Sequence, residues 1–414
     1  MTAMEMPRAP APPAAAVMSP RRVSAIGALL TAIGPVSMSI YTPAMPEIVR
    51  AFDTTEAAVK MTLTLYFGGF ACAQLIAGPL SDALGRRPVT FLFMAIYFAA
   101  SLVALWAPGV GVLMAARLAQ GIGAAGGVII ARAVVRDLFS GEESSKILNV
   151  IGIILSAGPA IAPTLGGLLL TGFGWRSIFA TMAGIGLMVI GVTAVFMRET
   201  VRGPRRGPRL GAIARTYLEI LREPRFLTAT TVIAGALGAL YAQATFLPFI
   251  LMHRVGLTPA EFGLGMLMQS GSYFAASLVA RPLMARVGAE RLVGPGVLCC
   301  AAGGLGLTLL LFWEPSFARV MGPVAISAFG IGFVMPAMMT AAMAPFPKAG
   351  GAAASMMGFI QMGSGLVAGS LGAMMGDPVL AMGTVIPAMG LICCLAYLAH
   401  RRRLRAEGPP LARR

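Results

Sequence analysis

Long apolar runs and short breaks rich in charge, Gly and Pro alternate along this chain about a dozen times. A helix of roughly 20 apolar residues spans the hydrocarbon core of a bilayer. The runs fall at 23–45, 57–81, 88–107, 110–135, 146–172 and 176–198, then at 226–252, 260–284, 292–313, 318–345, 350–375 and 379–400. This pattern predicts an all-α integral membrane protein with about 12 transmembrane helices. The longest break, Thr200 to Pro224, divides the spans six and six.

Inside that break Leu210, Ile213, Ala214, Tyr217 and Leu221 recur at helical spacing among Arg and Glu. That is the pattern of an amphipathic helix lying on the membrane face. A flexible basic linker accounts for the composition equally well. The expected organisation is a tail over 1–21, a first half over 22–199, a basic linker over 200–225, a second half over 226–400 and a basic tail over 401–414.

The polar breaks set the topology. Gly78-Pro79-Leu80-Ser81-Asp82-Ala83-Leu84-Gly85-Arg86-Arg87-Pro88 reads as a tight loop between the second and third spans. Its two arginines place it in the cytoplasm by the positive-inside rule. Alternation from that point puts both termini in the cytoplasm. Of the 32 lysines and arginines, only Arg50, Lys60, Arg176, Arg254 and Arg319 then fall outside, and Arg117 lies within a span.

Composition excludes a soluble protein. The 414 residues are 57% hydrophobic and 12% charged, against roughly 25% charged in soluble domains. A net charge of +16 would suggest nucleic acid in a soluble chain, but here it serves orientation. Cys72, Cys299, Cys300, Cys393 and Cys394 all sit in spans with no metal-ligand spacing. The Pro- and Ala-rich start, Met1 to Pro20, reads as a disordered tail with no cleavable signal. Arg21-Arg22 flank the first span, a twin-arginine export signal being the weaker alternative.

Three motifs carry more than topology. Gly-x-Leu-Ser-Asp-x-x-Gly-Arg-Arg over Gly78 to Arg87 resembles the signature loop of the major facilitator superfamily. A degenerate counterpart, Pro282 to Gly288, lies between spans eight and nine, with Ala285 where Asp82 stands. Parallel six-helix repeats are the architecture of that transporter class. The resemblance implies a cytoplasmic gate from Gly78, Asp82, Gly85, Arg86, Arg87, Arg136 and Asp137, with the gate charge, Asp82, in the first half only. A static turn is the plainer alternative.

Arg117 in the fourth span lies about eight residues, roughly 12 Å, inside one helix end. An arginine at that depth is functional by default, a structural buried pair being the alternative. It resembles the family's arginine in this helix, which is linked to proton coupling. Gly121 and Ala124 follow on the same face for close packing. In the fifth span Gly158, Ala162 and Gly166 form a small-residue stripe and Pro159 and Pro163 remove backbone donors, with Gly167 beside them. This resembles the antiporter motif of drug:proton exporters.

Tyr41-x-Pro43-Ala44-x-Pro46, Ala131 to Asp137, Trp175-Arg176-x-x-Phe179 and Glu199-Thr200 together resemble the bicyclomycin/chloramphenicol-resistance (Bcr/CflA) group of exporters. That group commonly has Asp-x-Tyr in its first span, and here the residues are Ser39-Ile40-Tyr41. All sixteen acids fall in tails, loops or helix ends. The pathway is therefore expected to favour neutral or anionic compounds, with any coupled proton on Asp82, Asp137 or Glu47.

The expected pathway residues are Ser39, Tyr41, Tyr66, Arg117, Gln120, Tyr241, Gln243, Gln269, Tyr273 and Gln361. The 28 methionines either build an adaptable wall or simply pack. The reading is a secondary active exporter of drug-like compounds in the cell inner membrane, working as a monomer on a small-molecule substrate with the bilayer as its surroundings. It needs no cofactor beyond a proton gradient, and no nucleic acid. A metabolite exporter or importer on the same fold, not necessarily proton-coupled, is the alternative. No nucleophile, metal or nucleotide-binding motif supports an enzyme or an ATP-driven pump.

Overall fold

A computed structural model describes residues 17–201, 210–347 and 349–407, without the side chains at 153–157, 159 and 210. The first half contains α1 (Pro20–Ser39), α2 (Met45–Ala51), α3 (Glu56–Leu84), α4 (Arg86–Leu105), α5 (Val110–Leu138), α6 (Gly141–Phe173) and α7 (Arg176–Phe196). A short helix α8 (Leu210–Arg222) follows. The second half contains α9 (Pro224–Pro248), α10 (Pro259–Val287), α11 (Ala289–Thr308), α12 (Phe317–Met343), α13 (Gly350–Met374) and α14 (Pro378–Glu407). A π-helical turn, Phe249–Arg254, extends α9.

Each of the twelve expected spans coincides with a long helix. Among the described residues, nine of these are long and apolar enough to cross a membrane by length and composition. The halves meet where α6 packs on α10 and α3 packs on α13. Small residues permit those approaches. A Cβ at Gly167 would run into the Pro259 carbonyl, and one at Gly263 into the Pro163 carbonyl. Thr164 Oγ1 donates to the Gly263 carbonyl at 3.0 Å.

Several helices overrun the expected spans at one end, whereas α1 and α11 stop at Ser39 and Thr308, short of the expected 45 and 313. α3 stays helical through Pro79 to Leu84, so the expected loop from Gly78 to Pro88 shrinks to a turn at Gly85, with φ +103°. Polar ends of helices continue past the apolar run because intrahelical hydrogen bonds do not depend on hydropathy. For the same reason α14 carries Arg401 to Glu407, expected as tail, in regular helix, and α1 begins at Pro20, inside the expected tail. The rest of that tail, up to residue 16, lies outside the described residues, as do 202–209 of the linker, Lys348 and 408–414.

α8 is helical, as the amphipathic pattern predicts, but its buried face is turned slightly. Ile220 is buried and Ile213 and Tyr217 are half-buried, whereas Ala214 and Leu221 are exposed. α8 packs on α9 and α13. The end of the bundle that carries Gly85 is termed inner below, and the opposite end outer.

Candidate functional site

Arg117 is fully buried, 0% exposed, on α5. Its guanidinium lies between the rings of Tyr41 and Tyr66, 4.4 Å from each centroid. Nη1 donates to Gln120 Oε1 at 2.8 Å and approaches Met182 Sδ at 3.9 Å. Gln120 Nε2 donates to Ser101 Oγ at 2.7 Å. The tyrosines are anchored in turn. Tyr66 donates to the Gly34 carbonyl at 2.8 Å, Tyr41 shares a proton with Thr62 Oγ1 at 2.6 Å, and Tyr97 pairs with Ser37 Oγ at 2.5 Å.

No carboxylate joins this group, and no Asp or Glu is among the fully buried side chains of the described residues. The cation is held by ring faces, an amide and a thioether. Cation–π contact compensates part of the desolvation of a guanidinium. Arg117 Nε and Nη2 nevertheless remain buried without a hydrogen-bond acceptor.

A second polar group lies in the other half. Gln269 Nε2 donates to Gln243 Oε1 at 3.0 Å. Gln243 Nε2 and Gln361 Nε2 are buried without partners. The two groups are joined by aromatic rings, with Tyr66 at 6.3 Å from Phe67 and Phe67 at 5.2 Å from Tyr241. Among the described residues, the Arg117 and glutamine nitrogens left unpaired here are all N–H donors. Tyr273 stands half-buried on α10. Ser39 joins neither group, and its carbonyl is taken by Thr42 Oγ1 at 2.8 Å.

Ser37, Thr62, Phe67, Tyr97, Ser101 and Met182 are the members that the sequence reading missed. Tyr97 lies one helix away from Arg117 with no spacing that links them. A rule that every deep arginine needs several neighbours from adjacent spans would have singled out the few tyrosines.

The inner-end cluster has a different centre from the expected one. Arg86 is buried, and its Nε and Nη2 meet Asp137 Oδ2 and Oδ1 at 2.9 and 3.3 Å, while Nη1 donates to Ser81 Oγ at 2.6 Å. Arg86 also pairs with Asp82, whose side chain is 62% exposed against 20% for Asp137. Glu199 Oε1 and Oε2 accept the backbone N–H groups of Arg86 and Arg87 at 2.9 and 3.2 Å. A Cβ at Gly85 would strike that carboxylate. Thr200 Oγ1 completes the cluster on Asp137 Oδ2 at 2.8 Å. Asp82 is the more exposed partner, because it sits in the last turn of α3 and meets Arg86 of α4 across the Gly85 turn.

Arg87 reaches the Ala194 carbonyl at 2.9 Å. Arg136 leaves this cluster for the other half, its Nη1 lying beside Gly351 of α13. In α6, Gly158 faces Val36 and Gly166 faces the Ile40 carbonyl, so the expected stripe packs against the first span. Ala162 and Pro163 are buried, and α6 is helical throughout, including Pro159. Gly167, beside that stripe, serves the boundary with the second half. Glu47 Oε1 accepts the Trp175 N–H at 3.3 Å.

The sequence profile of the Major Facilitator Superfamily matches residues 27–373. The chain belongs to the major facilitator superfamily. It is 31% identical to multidrug resistance protein D of Escherichia coli (strain K12) over 398 residues, 92% of this chain and 96% of that protein. It is 28% identical to the bicyclomycin resistance protein homolog of Haemophilus influenzae, again over 92% and 96% of the two chains. Among solved structures it is similar to a bacterial homolog of the human lysosomal transporter Spinster in an inward-facing, occupied conformation. There the TM-score is 0.72 at 16% identity, covering 95% of this chain and 99% of that one. The protein is thus a multi-pass membrane transporter, not an enzyme, related to multidrug resistance exporters.

Proposed function

We propose that this transporter exports small, acceptor-rich drug-like compounds, neutral or anionic, by alternating access between its two halves. The observation that carries this reading is the chemistry of the buried centre. Arg117 Nε and Nη2, Gln243 Nε2 and Gln361 Nε2 are donors without acceptors, and among the described residues no Asp or Glu is fully buried. An unpaired buried donor costs about 1–3 kcal/mol. A ligand offering carbonyl, nitro, sulfonyl or carboxylate oxygens removes that cost. A quaternary ammonium ion would meet a buried guanidinium with nothing to neutralise either charge.

Phe67 and Tyr241 supply apolar faces to the body of such a compound. Exchange for protons is part of the proposal, with Glu47, Asp82 and Asp137 as the titrating candidates. The arginine-rich inner end faces the cytoplasm of a bacterial inner membrane, by the positive-inside distribution, and the working unit is the monomer. The kinship with multidrug resistance proteins supports the direction of transport.

The test is a growth-inhibition panel in an efflux-deficient host, with neutral, anionic and cationic drugs, each with and without a protonophore. Protection is expected against neutral and anionic compounds and is lost with the protonophore. Export of an organic dication by the purified protein in liposomes would overturn the selectivity. Protection that ignores the protonophore would remove the antiport.

A further inference from the structure

Lys60 lies one turn into α3 at the outer end, and its side chain is 0% exposed. A buried ammonium persists only where each of its donors finds a partner. Nζ donates to Glu56 Oε2 at 3.1 Å, one turn back on the same helix. It donates to the carbonyl of Gly376 at 3.1 Å, in the turn between α13 and α14. It also sits 4.9 Å from the centroid of the Phe249 ring, at the start of the π-helical turn. Two of these three partners belong to the other half of the molecule.

The surroundings reinforce the crossing. Glu56 Oε1 meets His253 Nδ1 of the second half at 3.3 Å. Asp377, next to Gly376, accepts Arg254 Nη2 at 3.0 Å and the backbone N–H groups of Val379 and Leu380 at 2.7 and 2.9 Å. The socket that receives Lys60 is thereby fixed on the second half. The Arg86 cluster at the inner end differs, because none of its members comes from the second half.

We propose that Lys60 is the outer gate: its ammonium plugs a socket of Gly376 and Phe249, and the outer end opens only when that contact breaks. Rocking the halves apart at this end must pull Nζ from the carbonyl and from the ring face. The residue acts on the conformational equilibrium and need not touch the substrate. Glu56 holds the amine in place from its own helix.

Spin labels at Ala51→Cys and Glu314→Cys, in a protein freed of its native cysteines, report the width of the outer end by dipolar distance measurement. Lys60→Ala is expected to raise the ratio of wide to narrow conformers on the order of tenfold, the effect of losing one hydrogen bond to a charged group. Lys60→Arg keeps the charge and the donors and is expected to restore the narrow distribution. Glu56→Gln provides a second, smaller shift in the same direction should Lys60→Ala fail to insert. A lower melting temperature with unchanged distances in both Lys60→Ala and Glu56→Gln would make Lys60 a static strut and overturn the proposal. Neither outcome depends on which compound is transported.

Discussion

The hydroxyl of Tyr217 donates to the carbonyl of Leu75 at 2.8 Å, tying α8 to α3. The reason lies four residues further along α3. Pro79 has no N–H to give that carbonyl, so the helix leaves an acceptor open where a normal residue would close it. Tyr217 supplies the missing donor from the segment that joins the two halves. Burial among these groups also pushes the Tyr217 phenol up from its ordinary pKa, which keeps it protonated as a donor.

Tyr217→Phe should therefore loosen α8 while leaving α3 helical. The loss is about 1 kcal/mol. Hydrogen exchange across Leu210–Arg222 should rise severalfold with the core of the bundle unaffected. Unchanged exchange in that segment would mean that Ile213 and Ile220 hold α8 without the hydrogen bond.

Arg117→Lys should cost transport despite keeping the charge. A lysine ammonium loses the planar fork that reaches Gln120 while the cation contacts the Tyr41 and Tyr66 rings. Uptake into inverted vesicles should fall on the order of tenfold, the equivalent of about 1.4 kcal/mol, while membrane insertion stays normal. Wild-type uptake by this variant would reduce Arg117 to a packing residue.

Asp137→Ala and Asp82→Ala should separate at the inner end. Removing Asp137 leaves buried Arg86 without its two-point partner, at a cost of about 2 kcal/mol for hydrogen bonds to a charged group. Removing exposed Asp82 should cost less than about 1 kcal/mol. Melting of the detergent-solubilised variants ranks the two, and the reverse order would restore Asp82 as the centre of the cluster.

Gly121→Ala should destabilise the first half although the change is a single methyl. α3 and α5 cross with Gly69 against the Leu118 carbonyl and Gly121 against the Tyr66 carbonyl, so a Cβ at either site meets backbone. Overpacking of this kind costs about 1–3 kcal/mol. It would also push Tyr66 away from Arg117, so uptake should fall together with the melting temperature.

The apolar runs determined the twelve long helices, because a bilayer accepts few structures other than satisfied helices of fixed length. The burial of Arg117 was equally legible, since it needs only residue type and depth. Partnership was another matter. Tyr97 and Ser37 are sixty positions apart, and nothing in the local pattern of either announces the other. The Gly78–Arg87 stretch shows the same division: its arginines and its aspartate were plain, yet the choice of Asp137 over Asp82 as the main partner of Arg86 depended on where α5 ends. Position alone placed Lys60 among the few charges on the outer side. Only the packing of the second half, which brings the Gly376 carbonyl and the Phe249 ring over α3, buried its amine and made it a link between the halves.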